Sequence, residues 1–216
     1  MTASPTREDV LATAKDLFAR RLVDGTEGNV SARLEDGNVC ITPSSLSYEV
    51  MTLEDLVVID LDGNVVEGTR GPSSEKAVHL ACYKAFEEVG SVIHSHPVNA
   101  SVFAVARQPI PAAIEESVVF IGGDIPCCDF VTTGTDELGD EAVRLLADRS
   151  AALLANHGLV AIGADPYSAF RVTALVEKVA QIVIGARTLG GESAVPQEVK
   201  DNFHGVYKML RPHRLP

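Results

Sequence analysis

The sequence predicts a single domain of the α/β class in which the strands pair antiparallel. Segments with apolar residues at helical spacing alternate with short apolar runs of strand length. Two pairs of those runs are joined by Asp-Gly-Asn turns, Asp36-Gly37-Asn38 and Asp62-Gly63-Asn64, which are hairpin connections. No repeat, low-complexity stretch or linker divides the 216 residues, so one core is expected across residues 1–216, with 191–216 a tail able to close over the domain or to remain mobile.

In chain order, residues 7–22 place Val10, Leu11, Ala14, Leu17, Phe18 and Leu22 on one helical stripe, with Glu8 and Asp9 in the first turn. After the loop Gly25-Thr26-Glu27-Gly28-Asn29-Val30-Ser31, strands are expected at 30–34 and 39–42, then at 57–60 and 65–66. Pro72-Ser73-Ser74-Glu75 reads as a helix start, followed by the stripe Val78, Ala81, Cys82, Ala85 and Phe86. A strand ends in His94-Ser95-His96, a short helix spans 99–106, strands are read at 117–121 and 129–132, and helical spacing returns at 135–147. A strand at 152–155 leads to His157, and residues 166–189 form the longest helix, closed by Gly190-Gly191. The remainder, with Pro196, Pro212 and Pro216, reads as a short helix and tail.

Composition limits the partners. The 18 basic and 30 acidic residues give a net charge of -12, which opposes nucleic acid and anionic membrane surfaces but not a small phosphorylated metabolite met by local amides and hydroxyls. No stretch is apolar enough to span a bilayer, and Met1-Thr2-Ala3-Ser4-Pro5 runs into a charged helix rather than a secretory leader. The four cysteines, Cys40, Cys82, Cys127 and Cys128, lack CxxC spacing, and adjacent Cys127 and Cys128 would make a strained disulfide. Reduced thiols in a cytoplasm are expected.

The chemistry is concentrated in the histidines. Strand alternation sends His94 and His96 to one side, and His157 ends a second apolar strand beside a glycine turn. Three imidazoles on two strand ends are the core of a catalytic zinc site; capping of each strand by its own histidine explains them only one at a time. Two weaker patterns accompany them. The glycine loop with Thr26, Asn29 and Ser31 is either a plain turn or an anion cradle. Ser73 and Ser74 at a helix N-terminus can hold phosphate, although ordinary N-capping explains that stretch by itself. His79, four residues after Glu75, has ligand spacing but reads better as a partly buried histidine on an amphipathic helix.

Taken in order, Gly25-Thr26-Glu27-Gly28-Asn29-Val30-Ser31, Thr42-Pro43-Ser44, Pro72-Ser73-Ser74-Glu75, His94-Ser95-His96 and Asn156-His157-Gly158 make the chain resemble the zinc-dependent class II aldolase/adducin family over roughly residues 7–190. Within it, the likeness is greatest to members that cleave L-fuculose 1-phosphate. The resemblance implies a single three-layer α/β/α domain with a mainly antiparallel central sheet, in a homotetramer with active sites at subunit boundaries. It implies one zinc per chain held by His94, His96 and His157, with Glu75 a fourth ligand that substrate displaces and that then acts as the base. The phosphate would lie against Asn29, Ser44, Ser45, Ser73 and Ser74. The implied reaction is reversible cleavage of a ketose 1-phosphate to dihydroxyacetone phosphate and a short aldehyde such as lactaldehyde, through a zinc-stabilised enediolate.

The chain departs from the fuculose-phosphate pattern in two places. Glu115 and Glu116 stand where those aldolases carry a tyrosine acid, and Ser45 stands where they have a phosphate-loop glycine. Tyr207 is the counterpart expected to reach a neighbouring subunit's site. The acids at 115 and 116 also keep in view a pentulose-phosphate 4-epimerase of the same family, and adducin head domains keep in view a non-catalytic assembly role.

Overall fold

The computed structural model describes residues 4–211, so Met1 to Ala3 of the opening segment and Pro212 and Pro216 of the tail lie outside the described residues. The elements are α1 (Arg7–Ala19), β1 (Asn29–Arg33), β2 (Val39–Ile41), a 3-10 turn (Leu53–Asp55), β3 (Val57–Ile59), β4 (Val65–Glu67), α2 (Lys76–Ala85) and β5 (Ser91–Ser95), then α3 (Val98–Ala106), α4 (Glu115–Ile121), α5 (Asp136–Leu146), β6 (Ala151–Leu154), β7 (Gly158–Gly163), α6 (Pro166–Thr188) and α7 (Gln197–Leu210). The strands form one sheet in the order β4-β3-β2-β1-β5-β7-β6, and every neighbouring pair is antiparallel.

Side-chain alternation divides the sheet between two helical layers. On one face Val39, Ile41, Val57, Ile59, Val92, Ala152, Leu154, Val160 and Ile162 pack with Val78, Cys82 and Tyr83 of α2 and Leu138, Ala142 and Leu146 of α5. On the other, Ala151, Leu153, Leu159 and Ala161 meet α3 and α6, while Val30, Ala32, Cys40 and Ile93 meet α1. Because both faces are covered, the central strands are buried at nearly every position rather than at alternate ones, and each buried aliphatic side chain contributes roughly 1.5–3 kcal/mol. The result is a three-layer α/β/α arrangement around a mainly antiparallel sheet, as expected.

Three elements differ from the sequence reading. Residues 117–121 are helix α4, not a strand: Glu115 and Glu116 sit in its first turn, favourable to the dipole, and Gly122 closes it at φ 100° by donating to Ser117 and Val118. The buried set Ser117, Val118 and Ile121 is a helical stripe hidden in a run of β-branched residues. Residues 129–132 form no strand; Cys127 alone makes a parallel bridge to Leu153. The continuation after His157 is a full strand, β7, which pairs along both β5 and β6 and completes the sheet. At the C-terminus, α7 is a 14-residue helix lying against α4. Its Tyr207 is 1 % exposed and bonds to Ser150 and Arg211 of its own chain, which corrects the expectation that it reaches out to a neighbouring subunit.

Candidate functional site

The sheet places the first groups. In the antiparallel register His94 on β5 stands opposite Asn29 on β1 and Val160 on β7, and both His94 and Asn29 face the α2 layer. The β6–β7 hairpin turns at Asn156, in the left-handed region at φ 56°, and this tight turn returns His157 beside the end of β5. Gly158 follows because a Cβ there would lie 2.6 Å from Ser95 O and 3.0 Å from His96 Cδ2. Glu75 is the N-cap of α2, yet its side chain makes no cap hydrogen bond and reaches the histidines instead.

The three imidazoles converge through Nε2. His94 Nε2 lies 2.8 Å from His96 Nε2 and 3.2 Å from His157 Nε2, and Glu75 places Oε1 3.1 Å from His157 and Oε2 3.4 Å from His94. His94 Nδ1 donates to the Leu159 carbonyl at 3.0 Å, which leaves the Nε2 of the neutral ring as a lone pair aimed at the other two. His96 turns its Nδ1 toward Glu27 Oε2 at 3.5 Å, and His157 Nδ1 is buried with no hydrogen-bond partner among the described residues. Ring nitrogens packed this closely must share a proton or a cation, and a set of three imidazoles and a carboxylate suits a divalent transition metal.

The electrostatics agree. Burial, reinforced by the neighbouring imidazoles, pushes His94 down to about 3 against the pull of Glu75, and burial also lowers His96. Burial works against the ionised form of Glu75, but the hydrogen bond with His157, charge at His94 and His157, and the Asn29 amide outweigh it and hold the carboxyl at about 2. Depressing both kinds of group cannot rest on histidine charge alone. The Asn29 amide donates to Glu75 at 2.9 Å whichever ring carries a proton, a contribution to the ionised carboxylate that does not depend on the histidines.

A cavity of about 170 Å³ opens beside the cluster, and Asn29, Ser44, Ser45, Ser73, Ser74, Glu75, His96 and His157 all line it. Two backbone hydrogen bonds, Ser44 N–H to Gly71 and Ser73 N–H to Thr42, tie the 42–45 loop to the start of α2 and bring the four serines to one edge. Ser73 Oγ accepts from the N–H of Glu75, the N-cap residue, while facing the cavity. Ser45 adopts φ 58°, a conformation that glycine takes without strain.

Other expectations land elsewhere. Glu115 and Glu116 do not line this cavity; Glu116 faces Lys178 at 4.0 Å on the rim of a larger, mostly apolar cavity of about 780 Å³ beneath α4, α6 and α7. That larger space holds none of the converging groups, so the chemistry is assigned to the smaller one. His79 is fully buried rather than partly, outside the histidine triad. Sequence reasoning gave Glu27 no role, although it lines the cavity and faces His96; its position between the two loop glycines is the only local signal it offers.

Comparison with known proteins places this geometry in context. Residues 8–184 match the family model described as Class II Aldolase and Adducin N-terminal domain. A 5-deoxy-D-ribulose 1-phosphate aldolase of Bacillus thuringiensis serovar kurstaki is 36% identical over 198 residues, covering 91% of this chain and 92% of its own. An L-ribulose-5-phosphate 4-epimerase of Salmonella paratyphi B is 36% identical over 193 residues, covering 84% and 85%. Among solved structures, an L-fuculose 1-phosphate aldolase superposes with a TM-score of 0.88 at 33% identity, covering 94% of this chain and 95% of that one.

Proposed function

This chain belongs to the class II aldolase and adducin family, and from that membership we propose that it is a zinc-dependent aldolase cleaving a ketose 1-phosphate reversibly to dihydroxyacetone phosphate and a short aldehyde. The observation that carries the reading is the position of Glu75, one carboxylate shared between the converging imidazoles and the serine-lined cavity.

In this reading Asn29, Ser44, Ser45, Ser73 and Ser74 bind the phosphate at the N-terminal end of α2, where the helix dipole favours an anion despite the net charge of -12. A divalent ion held by His94, His96 and His157, with Glu75 completing the set, supplies positive charge where negative charge develops beside the substrate carbonyl. Glu75 removes the proton from the carbon next to that carbonyl in the condensation direction and returns it after carbon–carbon cleavage.

Two further points belong to the proposal. The α3 stripe Val98, Val102 and Val105 is 71%, 52% and 63% exposed and begins two residues after His96, which supports a homotetramer with sites at its subunit boundaries. The four unpaired cysteines support a reducing, cytoplasmic setting. Among the described residues, no helix is long and apolar enough to cross a membrane.

The test is metal content together with dihydroxyacetone phosphate release, measured before and after chelation. L-Fuculose 1-phosphate and 5-deoxy-D-ribulose 1-phosphate are the substrates to compare, because they differ in the aldehyde left behind. About one zinc per chain, with release abolished by chelation and restored by zinc, is the expected result. The epimerase-like relative favours one alternative: a metal-loaded protein that interconverts pentulose 5-phosphates at C4 and releases no dihydroxyacetone phosphate is an epimerase.

A further inference from the structure

Behind Glu75 and Asn29 lie three buried polar side chains, Ser31, His79 and Tyr83, that the proposed reaction does not use. On α2, Glu75, His79 and Tyr83 follow at intervals of four; on β1, Asn29, Ser31 and Arg33 follow at intervals of two. Four helical residues rise ~6 Å and two strand residues ~6.8 Å, so the two rows run in step. They meet side chain to side chain. Tyr83 OH is 2.7 Å from Ser31 Oγ, Ser31 Oγ is 2.6 Å from His79 Nδ1, His79 Nε2 is hydrogen-bonded to Asn29 Oδ1, and Asn29 Nδ2 is 2.9 Å from Glu75. Arg33 closes the far end, with its guanidinium over the Tyr83 ring and on the Tyr83 carbonyl.

We infer that His79, Ser31 and Tyr83 are positioning residues for Glu75, forming a one-way chain of hydrogen bonds that locks the Asn29 amide with its NH2 toward the carboxylate. The inference rests on Glu75 being the base.

The polarity follows from Glu75. An ionised carboxylate only accepts, so the Asn29 atom facing it is Nδ2, and Oδ1 must face His79. His79 therefore carries its proton on Nε2 and accepts at Nδ1 from the Ser31 hydroxyl, which leaves Ser31 Oγ to accept from Tyr83. Each of these four hydrogen bonds then has one donor and one acceptor. The components suit these roles. Ser31 and His79 are 0% exposed and Tyr83 is 2%, burial lowers His79 to about 4 so that it stays neutral, and burial keeps the Tyr83 phenol protonated. A helix–strand contact in this layer needs no polar atoms, and burying four polar groups has a desolvation cost that only complete pairing offsets. What the array adds is direction: Asn29 cannot flip its oxygen toward Glu75, and the carboxylate stays aimed between the imidazoles and the cavity.

The experiment compares His79→Phe, His79→Gln and Tyr83→Phe in the metal-loaded, full-length protein. The kinetic readout is exchange of the substrate C–H proton of dihydroxyacetone phosphate with solvent. Gln can donate to Asn29 and accept from Ser31, so His79→Gln recovers most of the parental rate. His79→Phe lowers kcat for exchange at least about 30-fold, with metal content kept and KM changed less than about threefold; Tyr83→Phe, the mildest cut, lowers kcat several-fold. Parental exchange in folded, metal-loaded His79→Phe overturns the inference, as does an equal loss in His79→Gln and His79→Phe. Nitrogen-15 NMR supplies an arm independent of the reaction. It should show His79 protonated at Nε2, and a shift of the Asn29 side-chain amide in His79→Phe; a proton on Nδ1 overturns the array. Absence of exchange in the parent with the NMR signature intact would instead sink the aldolase reading.

Discussion

At the scale of single residues, Glu75 and Gly158 carry separable burdens. Glu75→Gln keeps the shape and the metal-facing oxygen but cannot take a proton. Proton exchange on dihydroxyacetone phosphate should therefore fall ~10²–10⁴-fold, with zinc content and melting temperature close to parental. Undiminished exchange would remove Glu75 from the role of base. Gly158→Ala tests the packing under the histidines, since the new methyl would lie 2.6 Å from Ser95 O and 3.0 Å from His96 Cδ2. We expect zinc affinity to drop ~10–100-fold and stability by roughly 1–3 kcal/mol, read by competition with a chelator and by urea unfolding. The histidines themselves were legible, because a two-residue strand period is a local fact. The placement of Asn29 against Glu75 and His79 was not, because those pairs are separated by 46 and 50 positions and meet only when β1 docks on α2.

Elements repeat the pattern of what a sequence can show. The hairpins at Gly37 and Gly63, the α1 stripe and the long α6 are written in local turn chemistry and periodicity, and they formed as expected. Helix α4 was hidden because Val118, Val119 and Ile121 favour strands by propensity, while the acidic first turn and the glycine cap decide the matter. The α2–β1 contact has a consequence for stability. His79 has an ordinary value of 6.5 and is lowered to about 4 in the folded protein, so the unfolded chain binds the extra proton between those values. Its contribution is fully present above pH 6.5 and is lost as pH falls toward 4, up to roughly 3 kcal/mol. Burial of His94 acts with the same sign in the chelated protein. Urea unfolding of the chelated protein from pH 7.5 to pH 4.5 should thus show steadily falling stability, with a shallower fall in His79→Gln. An identical slope in the two proteins would mean that His79 is already charged when folded.

On the scale of the whole molecule, sequence pattern yields the class of fold, and assembly is where it ends. An antiparallel sheet under two helical layers follows from hairpins and apolar runs, but no periodicity announces a second copy. The structure offers a face for one. Helix α3 buries Ala100, Phe103 and Ala104 against the core and turns Val98, Val102 and Val105 outward, one turn or so apart, with Phe130 57% exposed as a further apolar group. At ~25 cal/mol per Å², a stripe of this kind repeated around a ring contributes several kcal/mol to association. Val102→Asp places a charge in the middle of it. Light scattering of the parent should give four chain masses, and the variant should dissociate to smaller species while its far-ultraviolet circular dichroism stays parental. If the sites lie at subunit boundaries, activity falls with the mass. A variant that dissociates yet keeps full activity would place the entire site within one chain, and a parent already monomeric would leave the α3 stripe to some other partner.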